Sequence, residues 1–467
     1  MAIAIIVISQ FMVGLDATVV NIALPEIHRA LGFSATSLAW VTSAYTLVFA
    51  GLLLLGGRAG DILGRRRMFI VGLVLFGAAS LVGGLAGSEG LLLAMRAVQG
   101  VGAALAAPNS LALISTNVAE DQRAKAYGAV AGSYAASLAL GLIAGGMLTQ
   151  WASWRWVMFI AVPMAVLALV LAPRFLTEPA RGAGSFDLGG ALLSVGFMGT
   201  LVYGLIHSAT DGWGDPATAV PLAAAAVLLV LFLLVEARAA QPIMPLGLFR
   251  DRTLAAGYFD LMALTAVMAG INFFTTQLLQ DVLGYGPVKA GLCFLPLAFG
   301  IFTGGGVGSK LLARVSGRSL VVAGSLLIFG GVLWMSQVEL GTSYAGGIVG
   351  PLILFGVGAG TAFTALNAII LGGASEAYAG AAAGVLEVMQ WLGFSLGIGI
   401  LITVFGSAGD HAAKHVPSGL HGHQTIAAYV EVHGIGAAFT AALAFAALAL
   451  LAATLLRTAT AAPAAEH

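Results

Sequence analysis

The sequence of 467 residues is short of charge. Asp, Glu, Lys and Arg make up 9% of it, whereas a soluble domain carries about 25%. This shortage excludes a water-soluble enzyme, because a surface in contact with water needs more charged side chains. Acidic and basic residues number 20 each, so the chain also lacks the basic excess of a nucleic-acid-binding protein. A single cysteine, Cys293, cannot form an internal disulfide and indicates no redox compartment.

What the sequence does have is long apolar runs, since 60% of its residues are hydrophobic. A helix that crosses the hydrocarbon core needs about 20 apolar residues, and continuous runs indicate helices rather than transmembrane strands. No basic segment precedes the first run, so we expect a first span and not a cleaved signal peptide. The short connections leave no room for a soluble domain. The sequence predicts fourteen spans, at residues 2–25, 37–57, 68–87, 91–115, 125–149, 155–173, 186–207, 218–236, 254–279, 289–312, 319–337, 344–371, 379–405 and 434–456.

The distribution of Lys and Arg predicts the orientation of these spans. Cytoplasmic loops carry an excess of both residues, and cytoplasmic termini place fifteen on that side against four on the other. We therefore expect a multi-pass protein of the bacterial cytoplasmic membrane with both termini inside. The cytoplasmic set is Arg58, Arg65, Arg66, Arg67, Arg123, Lys125, Arg174, Arg181, Arg238, Arg250, Arg252, Lys310, Arg314, Arg318 and Arg457, and the opposite set is Arg29, Arg155, Lys289 and Lys414.

The chain also repeats itself at an offset of 256 residues. Asp16 matches Asn272, and the sequence Gly-Val-Gly-Ala at 100–103 recurs at 356–359. Some secondary transporters contain parallel repeats of this kind, in which two similar bundles rock around a site at their interface. We predict an N-terminal six-helix bundle at 1–174, two inserted helices with their linkers at 175–253, and a C-terminal six-helix bundle at 254–467.

The loop between the second and third predicted spans combines glycines with opposite charges. Residues 56–67 read GGRAGDILGRRR. The glycines allow two helix ends to approach closely, and the aspartate can form a charge cluster with the arginines. The stretch resembles the signature loop of the major facilitator superfamily, which implies a loop that stabilises one of two conformations; a plain positively charged loop with tight turns is the alternative. The residues concerned are Gly57, Gly60, Asp61, Gly64, Arg65 and Arg66.

Three further stretches agree with this resemblance. Residues 15–25, LDATVVNIALP, resemble the first-helix motif of the family's fourteen-span drug:proton antiporter branch, and residues 96–102, RAVQGVG, resemble its fourth-helix motif. Residues 141–146, GLIAGG, resemble the fifth-helix antiporter motif. The resemblance covers essentially the whole chain and implies an all-helical membrane fold of two six-helix bundles with two additional inserted helices. The motif glycines are Gly141, Gly145 and Gly146, and Leu142 stands where the pattern usually has proline.

Charged residues inside the spans are candidates for function, because each costs about 2.5–3.5 kcal/mol to insert. Three acids, Asp16, Asp260 and Glu387, and one base, Arg96, fall well inside. A carboxyl group alone in a low-dielectric interior favours its protonated form, whereas one paired with arginine stays charged. The resemblance places Asp16 and Arg96 on neighbouring helices, and we predict that they form a proton-coupling site. A permanent structural ion pair is the alternative.

Glu387 lies among apolar neighbours, and Trp391 follows four residues later on the same helix face. This setting suits a protonatable carboxyl group or a counter-charge for a cationic ligand, and the resemblance implies cation recognition in this helix. A protonated carboxyl group bonded to a neighbouring helix is the alternative. We expect Asp260 to reach interfacial water, and the uncharged Asn272 suggests that the first half handles most of the protons. The predicted proton-coupling residues are Asp16, Arg96 and Glu387, and the predicted substrate-binding residues are Glu387, Trp391, Gln99 and Asn272.

Two other patterns are expected to be structural. The glycine-rich segment 304–310 lacks the Gly-Lys-Ser/Thr order of a phosphate-binding loop, so no nucleotide-driven pump is predicted. Histidines cluster in the longest connection, 406–433, but no cysteine or carboxylate cluster completes a metal site there. The sequence thus predicts neither a metal nor a cofactor. The histidines are His411, His415, His421, His423 and His433.

Together these features predict a secondary transporter, and not an enzyme, that exports an amphipathic cationic or neutral organic compound in exchange for protons. The expected partners are that small molecule, protons and the lipid bilayer, with no nucleic acid, and we expect the monomer to function. A dedicated exporter of one natural product or metabolite is the main alternative. A passive uniporter would leave the buried acids unexplained, and a non-transporting scaffold would need larger loops.

Overall fold

Helices make up nearly all of the computed structural model, which describes residues 1–34, 37–179, 188–212, 214–239, 244, 246–373, 379–417 and 422–456. Within these ranges no residue is assigned to a β-strand, so the predicted all-helical class is confirmed there. Helices are expected for apolar chains in lipid, because a helix satisfies its own backbone hydrogen bonds where no water is present.

The first half of the chain forms seven helices. Ser88 caps the start of the fourth helix, because its side chain accepts a hydrogen bond from the backbone N–H of Leu91. A left-handed residue, Gly32, ends the first helix. The helices are α1 (Ala2–Leu31), α2 (Ala39–Leu63), α3 (Arg65–Gly84), α4 (Glu89–Asn117), α5 (Glu120–Trp151), α6 (Arg155–Phe159) and α7 (Ala161–Phe175).

Nine further α-helices follow. Asp215 and Asp251 cap α9 and α10 by accepting backbone N–H groups of the first turn. A short 3-10 helix (Leu246–Arg250) precedes α10, and π-helical turns follow α10 (Leu278–Val282) and precede α14 (Tyr344–Ile348). The helices are α8 (Leu188–Asp211), α9 (Pro216–Arg238), α10 (Arg252–Gln277), α11 (Pro287–Cys293), α12 (Leu295–Leu311), α13 (Gly317–Met335), α14 (Val349–Gly373), α15 (Ala379–Lys414) and α16 (His423–Leu455).

Eleven helical segments of the described chain are long and apolar enough to cross a membrane, and the bent α2 brings the number to twelve. Each predicted apolar run overlaps a helix. The difference from the predicted fourteen spans lies in α5 and α8. Neither belongs to this set, and within α8 only Leu192–Leu205 forms a shorter apolar helix. The fold is therefore that of a multi-pass membrane protein with about eleven to twelve clearly apolar spans.

The helices of the two halves pack in corresponding pairs. In the first half α1 packs on α5, and α4 packs on both α2 and α3. In the second half α10 packs on α15, and α14 packs on both α12 and α13. The helices α8 and α9 pack on each other, and α8 also contacts α2 and α15. The helix α8 thus lies along the seam where the two halves meet.

The helix bundle has two opposite ends. The Arg65 face is the end where α2 stops and α3 begins at Arg65, and the Arg29 face is the opposite end, where α1 stops shortly after Arg29. Contacts between the halves close the Arg29 face. The Gln280 amide donates to the carbonyl of Ile22 at 2.8 Å, and Arg29 lies 3.3 Å from Asp281. Beside them, the Val288 N–H donates to the side chain of Gln150 at 3.1 Å.

Candidate functional site

A buried ion pair lies at the centre of the first half. Asp16 occupies the middle of α1 and is 2% exposed, and Arg96 of α4 is fully buried at 0%. Arg96 Nη1 lies 2.5 Å from Asp16 Oδ2. A charge enclosed in protein is tolerated when an opposite charge and hydrogen bonds compensate it. The structure therefore brings together the two residues that were predicted to form one site, and in this conformation they are paired.

Gln99 is the second partner of Asp16. Its amide nitrogen donates to Asp16 Oδ1 at 3.2 Å and to the Ser80 hydroxyl at 2.7 Å. Its amide oxygen accepts from Arg96 Nη1 at 2.9 Å. Gln99 was predicted to contact the substrate, but in this conformation its side chain is 0% exposed. Its position one turn after Arg96 on the same helix lets it bond both members of the ion pair.

Two residues of α2 complete the surroundings of Arg96. Its Nε donates to the backbone carbonyl of Val41 at 2.8 Å. The guanidinium carbon lies 4.5 Å from the centre of the Tyr45 ring, at a distance where a ring attracts a cation. The sequence motifs did not single out Ser80, Val41 or Tyr45. A fully buried arginine needs several hydrogen-bond acceptors. The sequence therefore indicates that such partners exist, but it does not identify the residues.

Aromatic side chains connect this network to the second half. Trp391 of α15 is 7% exposed, and its ring packs edge-on against Tyr45 at 6.3 Å and against Phe49 at 4.9 Å. Beside them, the hydroxyls of Thr46 and Ser395 lie 2.8 Å apart across the seam. Tyr45 thus touches both Arg96 and Trp391. The ring of Tyr45 therefore lies between the Asp16–Arg96 pair and the contact that joins the two halves.

Glu387 lies one turn before Trp391 on α15, on the side towards the Arg65 face. It is half-buried. In the described part of the chain no hydrogen bond or ion pair joins its carboxyl group to another residue. Its separation by four residues places it on the same helix face as Trp391, as predicted. The hydrogen bond to a neighbouring helix, which was the alternative, is absent from the described contacts.

Asn272, at the repeat position of Asp16, has no charged neighbour among its described contacts. It is 5% exposed, and its amide donates to the carbonyl of Met268 on its own helix at 2.9 Å. The two halves therefore differ at this position, where one has a buried ion pair and the other has an amide that bonds to its own backbone.

Asp260 does not reach interfacial water, so that expectation was wrong. The side chain is 0% exposed. Neither carboxyl oxygen has a hydrogen-bond partner among the residues that the structure describes. Asp260 lies near the start of α10, where exposure to interfacial water was expected. The helices α14, α15 and α16 pack on α10 and enclose this part of it.

The stretch predicted as a signature loop is helical except at Gly64, because α2 continues to Leu63 and α3 begins at Arg65; its side chains form a charge cluster at the Arg65 face. Arg65 lies 2.9 Å from Asp61 and also donates to the carbonyl of Ala112 on α4 at 3.3 Å. Gly60 lies directly against the Asn109 side chain, which donates to the carbonyl of Gly56 at 2.8 Å. A side chain at Gly60 would therefore collide with Asn109. The glycines let α2 and α4 approach, as their spacing indicated.

Glu178 is a member of this cluster that the sequence did not reveal. Its two carboxyl oxygens accept the backbone N–H groups of Arg66 and Arg67 at 3.0 and 3.1 Å, and Arg66 Nη1 donates to the carbonyl of Leu176 at 2.9 Å. A carboxylate at a helix N-terminus satisfies free N–H groups and stabilises the helix dipole. Glu178 thereby fixes the start of α3. It lies far along the chain, and no local pattern pairs it with the loop.

The three glycines of the fifth-helix motif all mark close approaches of α5. Gly141 and Gly145 face α1, where a side chain would collide with Thr18 and Val19. Gly146 faces Pro287 at the start of α11 in the other half. The motif therefore holds α5 against its own half and against the opposite half. The side chain of Leu142, the departure from the pattern, lies outside the described residues.

The histidine-rich segment has no metal cluster in its described part. His411 and His415 stack with ring centres 4.3 Å apart. Across the described residues no group of three or more His, Cys, Asp or Glu side chains could hold a metal ion. The placement of His421 and the side chain of His423 lie outside those residues.

These features define a class: a helical membrane protein built from two corresponding halves, with charges buried in its interior and glycine-mediated contacts between helices. A family model of the Major Facilitator Superfamily matches residues 6–398. The chain is 40% identical to a puromycin resistance protein of Streptomyces alboniger over 454 residues, covering 96% of this chain and 88% of that protein. It is 39% identical to a cephamycin export protein of Amycolatopsis lactamdurans over 407 residues, covering 85% and 83%.

Solved structures show the same fold. A bacterial homologue of the human lysosomal transporter Spinster superposes with a TM-score of 0.70 at 16% identity, covering 97% of each chain. The chain belongs to the Major Facilitator Superfamily, and its relatives include transporters for antibiotic resistance and export.

Proposed function

We propose that this protein is a proton-coupled exporter of an antibiotic-like organic compound, cationic or neutral, in the bacterial cytoplasmic membrane. Two relatives named for antibiotic resistance and export support the cargo class. The single observation that carries the proton coupling is the ion pair of Asp16 and Arg96, buried at the centre of the first half. A buried ion pair is costly, and inside a membrane such groups mark ion pathways by default.

The proposed orientation places the Arg65 face in the cytoplasm, together with both termini. The described basic residues of the loops support it, because Arg58, Arg65, Arg66 and Arg67 lie at that face and cytoplasmic loops are rich in Lys and Arg. The side chains of Arg123 and Lys125 lie outside the described residues, as do Arg181 and Arg457. With this orientation, the contacts at the Arg29 face close the protein towards the outside.

The proposed architecture has fourteen spans, with α5 and α8 as membrane helices in addition to the clearly apolar set. The division into bundles at 1–174 and 254–467, with inserted helices at 175–253, is supported by the packing: α9 contacts α8, and α8 lies on the seam between α2 and α15. Because α8 touches both halves, we propose that the inserted helices cover this side of the seam. The monomer is the proposed working unit.

In the proposed cycle, the pair of Asp16 and Arg96 separates when a proton binds Asp16 from outside. Arg96 then loses its counter-charge, and its contact with Tyr45 transmits the change to Trp391 across the seam. Substrate binds from the cytoplasm near Glu387 and Trp391 as the proton leaves. Gln99, which bonds both members of the pair, is proposed as a positioning residue, and Asn272 as a polar contact of the second half. The loop of Asp61 and Arg65 stabilises one of the two conformations.

Reconstituted vesicles with an imposed pH gradient test this proposal. Puromycin serves as the probe because a relative is named for resistance to it. We expect the wild-type protein to accumulate puromycin against its gradient only while the pH gradient lasts. Accumulation that ignores the pH gradient would identify a passive uniporter and overturn the coupling. In the vesicles, Asp16→Asn and Glu387→Gln should both strongly lower gradient-driven accumulation.

A dedicated exporter of a single compound is the second candidate, because each of the two relatives named above is identified with one antibiotic. Counterflow with a panel of chemically unrelated compounds separates the two candidates. A dedicated exporter exchanges one scaffold only, whereas a polyspecific exporter exchanges several.

A further inference from the structure

The carboxyl group of Asp260 is a fully buried acid that the proposed cycle does not use. It lies eight residues after the start of α10, about 12 Å along the helix axis at 1.5 Å per residue, and its side chain is 0% exposed. Neither of its oxygens has a hydrogen-bond partner among the described residues. A carboxylate in such a position is shielded from bulk water and has no described group to compensate its charge.

The register between α10 and α16 shows what Asp260 faces. Gly257 lies beside Leu456, just past the end of α16, and the Phe274 ring packs on Phe439 at 6.2 Å. The two helices are antiparallel, so these two contacts place Asp260 opposite Ala453. On a helical wheel Asp260 lies between Gly257 and Phe274, on the face that meets α16.

That surface of α16 is apolar. Ala446, Ala449 and Ala453 are all fully buried, and the segment 440–455 contains no titratable residue. The described end of α14 has none either. The charged groups on the remaining neighbours are Glu387 on α15 and Arg250 in the preceding 3-10 helix, and neither forms an ion pair or hydrogen bond with Asp260 in the described structure.

Two other titratable groups near the start of α10 form hydrogen bonds away from Asp260. Asp251 accepts the N–H groups of Thr253 and Leu254, and the Tyr258 hydroxyl donates to the carbonyl of Ala382 on α15 at 3.1 Å. Arg252 is exposed at the helix start. Glu376 lies between α14 and α15 and Arg457 directly follows Leu456, and both lie outside the described residues. No described group compensates an ionised Asp260.

We propose that Asp260 is a proton-binding residue of the second half, which carries its proton while α10 and α16 are packed together and releases it when the two helices move apart. Burial without a partner favours the neutral form of a carboxyl group. Release needs water or a base to reach Asp260, which requires separation of α10 from the alanines of α16. This proposal deepens the proposed function, on which it rests, by giving each half its own proton-binding position.

Infrared spectroscopy of the purified protein tests the proton on Asp260 without any substrate. We expect wild-type protein at neutral pH to show a protonated-carboxyl C=O band that Asp260→Asn lacks, and we expect this band to disappear in alkaline buffer while the protein stays folded. Asp251→Asn is the matched control on the same helix, and its spectrum should keep the band. A spectrum without the band at neutral pH overturns the proposal, and so does a band that survives every pH at which the protein is folded.

Transport provides the second arm. Vesicles loaded with puromycin compare exchange at equal pH with accumulation driven by a pH gradient. If Asp260 takes part in coupling, Asp260→Asn keeps the exchange, because asparagine resembles the neutral acid, and loses gradient-driven accumulation. Wild-type behaviour of Asp260→Asn in both assays overturns its part in coupling. If the wild-type protein ignores the gradient while the infrared band is present and titrates, the proposed function fails and the proton-binding site remains.

Discussion

Asp16 in the first half and Asp260 in the second are almost equally inaccessible to water, but their surroundings are opposite. Asp16 faces Arg96 at 2.5 Å and also accepts a hydrogen bond from Gln99. Asp260 lies on α10, which packs on α16, and its two oxygens have no partner in the described structure. One acid therefore has a cation beside it, whereas the other has no described partner. Burial alone does not tell which form a membrane carboxyl group takes, because its partner decides.

The comparison also separates two ways of linking a proton to movement. In the proposed cycle, proton binding at Asp16 breaks an ion pair and leaves Arg96 with its contacts to Val41 and Tyr45. At Asp260, the proposed release of a proton requires water between two helices. The first changes contacts at the centre of the N-terminal half, and the second changes packing at the side of the C-terminal half.

The largest expected effect is on the Asp16–Arg96 pair itself. Asp16→Asn or Arg96→Gln leaves one buried charge without its partner, which costs about 3–5 kcal/mol of folding free energy. We expect each single variant to have a much lower thermal unfolding midpoint in detergent, and the double variant Asp16→Asn/Arg96→Gln to recover part of the loss because no charge remains. Equal losses in single and double variants would contradict an energetic coupling of the two charges.

Glu387→Gln sharpens the comparison, because Glu387 has no ion-pair partner in the described structure. We expect its unfolding midpoint to stay close to wild type while gradient-driven transport of puromycin falls by about 5- to 150-fold, the range of a typical coupling free energy. The double variant Glu387→Gln/Gln390→Glu is the control, because it places a carboxyl group three residues further along α15. We expect this double variant not to recover transport. Unchanged gradient-driven transport in Glu387→Gln would remove this residue from the coupling.

Asp260→Leu tests the neutral state of Asp260 by stability. Replacing an unpaired buried polar group with an apolar group of similar shape removes a penalty of about 1–3 kcal/mol. We therefore expect the unfolding midpoint of Asp260→Leu to equal or exceed that of the wild type. Asp16→Leu is the matched control, and its midpoint should fall because Arg96 loses its counter-charge. A strong loss in Asp260→Leu would mean that Asp260 makes a bond essential to the fold.

The smallest stability effect is expected at Arg29, whose ion pairs are exposed to solvent. Arg29 lies 2.7 Å from Glu26 and 3.3 Å from Asp281, and exposed pairs contribute about 0–1 kcal/mol. Arg29→Gln should leave the unfolding midpoint nearly unchanged, at low and at high salt. A loss as large as that of Arg96→Gln would break the distinction between buried and exposed charges in this protein.

Sequence patterns located several features well. The apolar runs overlap the helices, the signature loop carries the Asp61–Arg65 cluster, and Asp16 meets Arg96 as the family motifs implied. These features follow from local composition or from motifs whose residues touch. Glu178 and Tyr45 were missed, because their partners lie on other helices and depend on how those helices pack. Gln99 was found, but its bonds to Asp16 and Arg96 were not.

The amino-acid sequence by itself determined that this chain lies in a membrane, where its helices run, and which few charges enter the apolar interior, because these properties depend on composition and run length. Only the tertiary structure decided the partner of each charge. Arg96 reaches Asp16 across a helix interface, whereas Asp260 is buried with no hydrogen-bond partner among the described residues. Whether a buried acid meets a cation or a methyl group depends on the rotation and register of neighbouring helices, which no single stretch of sequence specifies.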